Sequence, residues 1–132
     1  MAEIIKTWPA FIPARTTAEV FSPSHPPFCH YYFSLGHGKP KQHVDLMWFN
    51  YQGRILGWFR VEEVVCNDGT LPKLRRLDGE ESGWQIRKDS WVAVCAPPCH
   101  RLSERVFMEG FRGWRYFDLD TYKGTVDARH RL

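Results

Sequence analysis

Residues 43–66 constrain the fold more than any other stretch of this chain. His43–Tyr51 and Gly53–Cys66 read as two strands joined by a tight turn at Gln52-Gly53. The second strand has a period of two. Ile55, Gly57, Phe59, Val61, Glu63 and Val65 share one face, and Leu56, Trp58, Arg60, Glu62 and Val64 share the other. The first face is the more apolar and is expected to look into a core. Trp58 and Arg60 then lie side by side on the opposite face.

The rest of the chain is read around this hairpin. Phe, Trp and Tyr make up 15% of 132 residues, with nine Pro and ten Gly beside them. Aromatics favour strands, and Pro and Gly break helices, so a helical bundle is excluded. Residues 28–35 read as a strand and 36–42 as a loop. Residues 67–83 read as a long polar loop. Trp84–Arg87 and Ser90–Ala96 are further strands around a turn at Arg87-Lys88-Asp89, and Pro97-Pro98 is expected to stop the second. Ser103 can cap a short helix over Glu104–Glu109, with a strand through Val106–Met108 as the alternative. Trp114–Leu119 reads as the last strand.

Residues 1–27 read as an irregular Pro-rich segment packed on the domain, with a short helix over Thr17–Phe21 capped from Thr16. Residues 127–132 read as a frayed tail. Five to seven short strands and few helices in a chain of this size give one domain. The expected fold is β-rich α+β: a small mixed β-barrel with one or two short flanking helices.

Charge is mild, +3 with His neutral, and evenly spread, so any basic patch must be made by folding. No apolar run approaches the ~20 residues needed to span a bilayer. The start lacks the basic-then-apolar pattern of a signal peptide. A cytoplasmic protein with reduced thiols is expected. Neither a GxxxxGK[ST] nor a GxGxxG motif occurs, and no cofactor is expected.

Several residue sets carry possible chemistry. Cys95, Cys99 and His100 offer one pair of metal-ligand spacing, whereas zinc sites are usually built from two. Glu63 interrupts the apolar face of the best strand. Asp118 and Asp120 share a face if that segment is extended. Glu63 and Asp118 are therefore the candidate general bases. The densest signal is aromatic residues interleaved with basic ones. Trp58 and Trp84 are candidates for stacking on bases. Arg54, Arg60, Arg87, Lys88, Arg112 and Arg115 are candidates for phosphate or base-edge contacts, joined by Lys39 and Lys41 from the loop.

The stretch VDLMWFNYQGRILGWFRVEEVV (44–65) resembles the central hairpin of PUA-like domains, particularly the EVE and ASCH branches, at Gly53, Arg54, Ile55, Gly57 and Val61. The resemblance implies a small mixed barrel with a cleft for RNA or a modified base. The ASCH signature GxKxxExR is absent: Gly36, Gly38, Lys39 and Lys41 occupy a suitable loop, but no Glu or Arg follows at its spacing. FRGWRYF (111–117) resembles the FQGWRY-type ending of an uncharacterised bacterial domain family.

The leading expectation is a non-catalytic module that binds RNA or DNA, or a modified base, by ring stacking and Arg/Lys contacts. The alternatives are a small ASCH-like hydrolase of RNA or modified nucleosides, and a protein-interaction or homodimer domain.

Overall fold

The computed structural model describes residues 2–8, 20–21, 31–69 and 87–130, with side chains through 125. The strands are β1 (Ala2–Thr7), β2 (Tyr31–Gly36), β3 (Val44–Tyr51), β4 (Arg54–Cys66), β5 (Trp91–Arg101) and β6 (Trp114–Tyr116). One helix, α1 (Leu119–His130), follows them. They form a curled six-stranded sheet of order β2-β5-β4-β3-β1-β6. The β1–β3 pair is parallel and every other pair antiparallel.

The expected hairpin is present. Gln52 and Gly53 both have positive φ, 49° and 82°, as a two-residue turn that matches strand twist requires. The loop after β2 and the turn at Lys88-Asp89 also form as expected.

The sheet curls enough to bring β1 and β2 face to face across its concave side. Trp8, just past β1, stacks on Phe33 of β2 at 5.7 Å, although three strands separate β1 from β2 in the sheet. Trp8 also stacks on Phe49 at 4.2 Å. Phe33, Phe49, Phe59, Met47, Val61 and Cys95 fill this interior. Burial of a Phe stabilises by roughly 2–3 kcal/mol, so a few large rings suffice for a small core. The loop after β2 reaches across to β6. Trp114 Nε1 donates to the Gly38 carbonyl at 2.9 Å, and the Tyr116 hydroxyl accepts the Lys41 and Gln42 amides at 2.8 and 3.2 Å.

The convex side carries a second cluster. Ile5, Trp48, Ile55 and Val106 are buried there beneath Phe111, Phe117, Leu119 and Tyr122. The 106–108 segment pairs with the hairpin end: Ile55 donates to Val106 and Met108 to Gly53. A single bridge at Phe107 replaces the helix expected over Glu104–Glu109.

Three register shifts correct the hairpin reading. Phe49 pairs with Gly57 but Asn50 with Ile55, so Leu56 is an extra residue and Ile55 turns to the convex cluster. Val61 pairs with Cys95 but Glu63 with Val94, so Glu62 is extra. Val64 thus packs on the interior and Glu63 stays exposed. Pro97, Pro98 and Cys99 together oppose Phe59 in a bulge. Pro97-Pro98 therefore does not stop β5, because residues bulged out of the ladder need no amide to donate.

Other elements also depart from expectation. Residues 2–7 are a strand, not irregular chain. Ile4 enters the concave core and Ile5 the convex one, so β1 is buried on both faces and shows no alternation. The last strand ends at Tyr116, and α1 takes in 119–130, including most of the expected tail. Val20 and Phe21 are helical, and the rest of the Thr17–Phe21 segment lies outside the described residues.

A buried polar node ties the sheet to the 108–111 segment. Asn50 is 0% exposed. Its Oδ1 accepts the Thr7 hydroxyl at 2.9 Å, and its Nδ2 donates to the Met108 and Glu109 carbonyls at 3.4 and 3.3 Å. Thr7 Oγ1 in turn accepts the Phe111 amide at 3.1 Å. Replacing Asn50 by Leu keeps the volume but strands these partners. The expected loss, read by urea unfolding, is about 2–3 kcal/mol, with amide exchange at Phe111 rising first. An unchanged midpoint would show that the node is not buried.

Candidate functional site

The convex face assembles a row of aromatic rings across three adjacent strands, the segment after β6 and α1. Register places Trp48 (β3), Trp58 (β4) and His100 (β5) as direct cross-strand neighbours. Trp58 and His100 stack nearly parallel, with centroids 3.9 Å apart and planes 17° apart. Trp48 and Trp58 are tilted by 51° at 6.1 Å. On the other side of Trp48, Phe117 meets it edge-on at 5.8 Å, and Tyr122 of α1 follows Phe117 at 5.8 Å.

Two rings of the row are held by side-chain hydrogen bonds. Trp48 Nε1 donates to Glu3 Oε1 at 3.1 Å, and the Tyr122 hydroxyl donates to the Phe107 carbonyl at 2.6 Å. An ion pair between Lys123 and Glu104 fixes α1 over the row. Exposure grows outward: Trp48 is buried, Trp58 half-buried and His100 exposed. Arg60 lies two residues beyond Trp58 on the same face. It is exposed and makes no ion pair or hydrogen bond among the described residues.

The sheet positions this end of the row through Gly57. It pairs with Arg101, and an added Cβ would lie 2.1 Å from the His100 carbonyl oxygen and 2.8 Å from the Phe21 ring. Only a residue without a side chain lets β5 approach closely enough to set His100 on Trp58.

The other candidates disperse. Arg54 is half-buried at the hairpin end, bridged to Phe107. Lys39 sits over the Trp91 ring at 4.9 Å, at the far end of β5, where the exposed Arg87 and Lys88 form a turn. Arg115 covers Phe111 at 4.1 Å, and Arg112 is exposed at the neighbouring bend. Lys41 is exposed in the loop that Tyr116 clamps. Arg101, which the sequence did not single out, covers Phe21 at 4.2 Å. Interleaved cations and rings thus resolve in part into cation–π pairs within the fold. Trp84 lies outside the described residues. Sequence reasoning paired Trp58 with Arg60 but missed Trp48 and the ring role of His100. Strict alternation from the Gln52-Gly53 turn sets Trp48 opposite Gly57, and only the extra residue at Leu56 brings it opposite Trp58, so spacing alone does not find this pair.

The metal-ligand and nucleophile sets do not converge. Cys95 and Cys99 lie in the concave core, and burial pushes both thiols far above the usual range. His100, next in sequence to Cys99, points to the convex face against Trp58. The three cannot share one ion, and the described residues contain no cluster of three ligand-type side chains.

Of the two candidate bases, Glu63 is exposed at the bulged part of β4. Asp118 is the N-cap of α1: its Oδ1 accepts the Thr121 amide at 2.9 Å, and this bond holds the carboxyl below its ordinary 3.8. A lowered carboxyl is the opposite of what a general base needs. The extended Asp118–Asp120 segment expected from sequence is instead a helix start. Asp118→Ala is expected to lower helix content by circular dichroism, with Asp118→Asn retaining most of it. The folded value is depressed, so the cap's contribution holds above 3.8 and fades as pH falls below it. Equal spectra for both variants at neutral pH would show that no cap forms.

Among the described residues, no helix is long and apolar enough to cross a membrane. Comparison with protein-family models, curated proteins and solved structures gives no match.

Proposed function

We propose that the chain is a nucleic-acid-binding module whose contact surface is the convex face around Trp58, His100 and Arg60. The observation that carries this reading is the parallel Trp58–His100 stack at the exposed end of the aromatic row, with Arg60 exposed beside it. A flat ring platform suits the face of any base, modified or not, and an adjacent guanidinium suits a phosphate. We also propose the PUA-like assignment, which rests on the 44–65 hairpin. A curled, mixed six-stranded sheet followed by a helix agrees with it. The hydrolase alternative draws no support from an exposed Glu63 and a capping Asp118.

The test is fluorescence anisotropy of labelled RNA and DNA oligonucleotides over a salt series. Binding is expected at about 50 mM salt, with a log–log slope near −0.7 for each phosphate held on a single strand. No binding of either nucleic acid at that salt overturns the proposal.

A further inference from the structure

Four links join five rings in the convex row: Tyr122 to Phe117, Phe117 to Trp48, Trp48 to Trp58, and Trp58 to His100. The inner end is closed, because Tyr122 belongs to α1 and its hydroxyl is tied to Phe107. The outer end is open. Among the described residues, the His100 ring has one ring neighbour, Trp58, and no hydrogen-bond or ion-pair partner.

The sheet explains why the row stops there. Strand β2 pairs with β5 only from Trp91 to Cys95. His100 therefore lies on the part of β5 beyond the last β2 partner, and no described strand continues the row. Neighbouring strands sit about 4.8 Å apart, which is wider than the 3.9 Å between Trp58 and His100. The two rings lean together, and the far face of the exposed His100 has no neighbouring ring among the described residues.

Resting on the nucleic-acid reading, we infer that the ring completing this row is an unpaired base of a single strand, stacked on the outer face of His100, with Arg60 holding an adjacent phosphate. A base in the body of a duplex has both faces covered by its neighbours, so the row's open end can take only an unstacked base or a duplex end. The imidazole supplies the contact surface, and Trp58 fixes its plane. The discriminating chemistry is ring stacking, so the site tolerates any base but not a missing one.

The experiment compares four ligands of one sequence: a single strand, the same strand with one abasic position, a covalently closed circular duplex with no end, and a blunt duplex. Each is titrated at about 50 mM salt against the unmodified chain, His100→Ala and His100→Phe. The exposed position of His100 leaves the fold intact in both variants, which circular dichroism checks. The single strand is expected to bind most tightly. His100→Ala is expected to weaken it by roughly 5- to 150-fold, the range of one base–ring stack, and His100→Phe to restore most of the loss. A short strand whose one accessible base is abasic is expected to lose as much with the unmodified chain and nothing further with His100→Ala.

Equal binding of the single strand and the closed circular duplex, or a single-strand preference that His100→Ala leaves intact, overturns this inference and leaves the nucleic-acid reading standing. No binding of any of the four overturns both.

Discussion

Gly57→Ala is expected to lower thermal stability more than the same change at any other described glycine. The added carbon would sit 2.1 Å from the His100 carbonyl oxygen, a distance that no carbon–oxygen contact tolerates. The obstacle is backbone, not the end of a flexible side chain, so β4 and β5 must part to admit it. Overpacking of this kind costs about 1–3 kcal/mol and more where the backbone must move. A loss near 3 kcal/mol is a large share of the roughly 5–15 kcal/mol that holds such a domain together. It corresponds to a fall on the order of 10 °C in Tm. Gly124→Ala provides the contrast. Gly124 lies inside α1 with open space where a Cβ would go, so that change is expected to stabilise by up to about 1 kcal/mol. Scanning calorimetry on both variants reads the difference. An unchanged Tm for Gly57→Ala would mean that β5 does not approach β4 as closely as described.

The second large effect is on binding. Arg60→Glu replaces the exposed cation beside the stack by an anion that repels phosphate. Removing one desolvated phosphate contact and adding a like charge is expected to weaken oligonucleotide affinity by tenfold or more at low salt, with the loss shrinking as salt rises. Trp58→Ala removes the ring that orients His100 and is expected to weaken binding as much, without the salt dependence. Arg87→Glu and Lys88→Glu, in the turn at the far end of β5, are expected to change affinity only slightly. Comparable losses at all three basic positions would show that general charge, and not the convex row, governs binding.

Much of this geometry is legible in the sequence for a simple physical reason. A strand half-buried on one face alternates, so Trp58 and Arg60 could be placed together from residues 54–66 alone, and Gln52-Gly53 marked the turn. Alternation fails where a strand is buried on both sides, and for that reason the sequence of Ala2–Thr7 carries no strand pattern. It also fails at bulges. One extra residue at Leu56 or Glu62 reverses the facing of all that follows, and nothing in residue type announces it. Ile55 and Glu63 were misplaced by that mechanism.

The proline pair at 97–98 misled in the other direction. Proline forbids a ladder hydrogen bond, but a bulge does not ask for one. That same bulge sets the phase that carries His100 to the convex face, so the outer ring of the row could not be read from spacing. Helix α1 was hidden because Gly124, Thr121 and Thr125 weaken helix propensity. Among its described side chains, Leu119 and Tyr122 pack on the convex cluster and Lys123 pairs with Glu104. The cap at Asp118 was its one local sign, and it was read as chemistry.

The most direct measurement is chemical-shift mapping of the isotope-labelled chain with a short single strand at low salt. The expected result is perturbation of the Trp58 indole, the His100 ring and the Arg60 guanidinium, fading through Trp48 toward Phe117 and absent at Lys39, Arg87 and Lys88. Perturbation centred on Lys39, Arg87 and Lys88, with Trp58 and His100 unmoved, would contradict it.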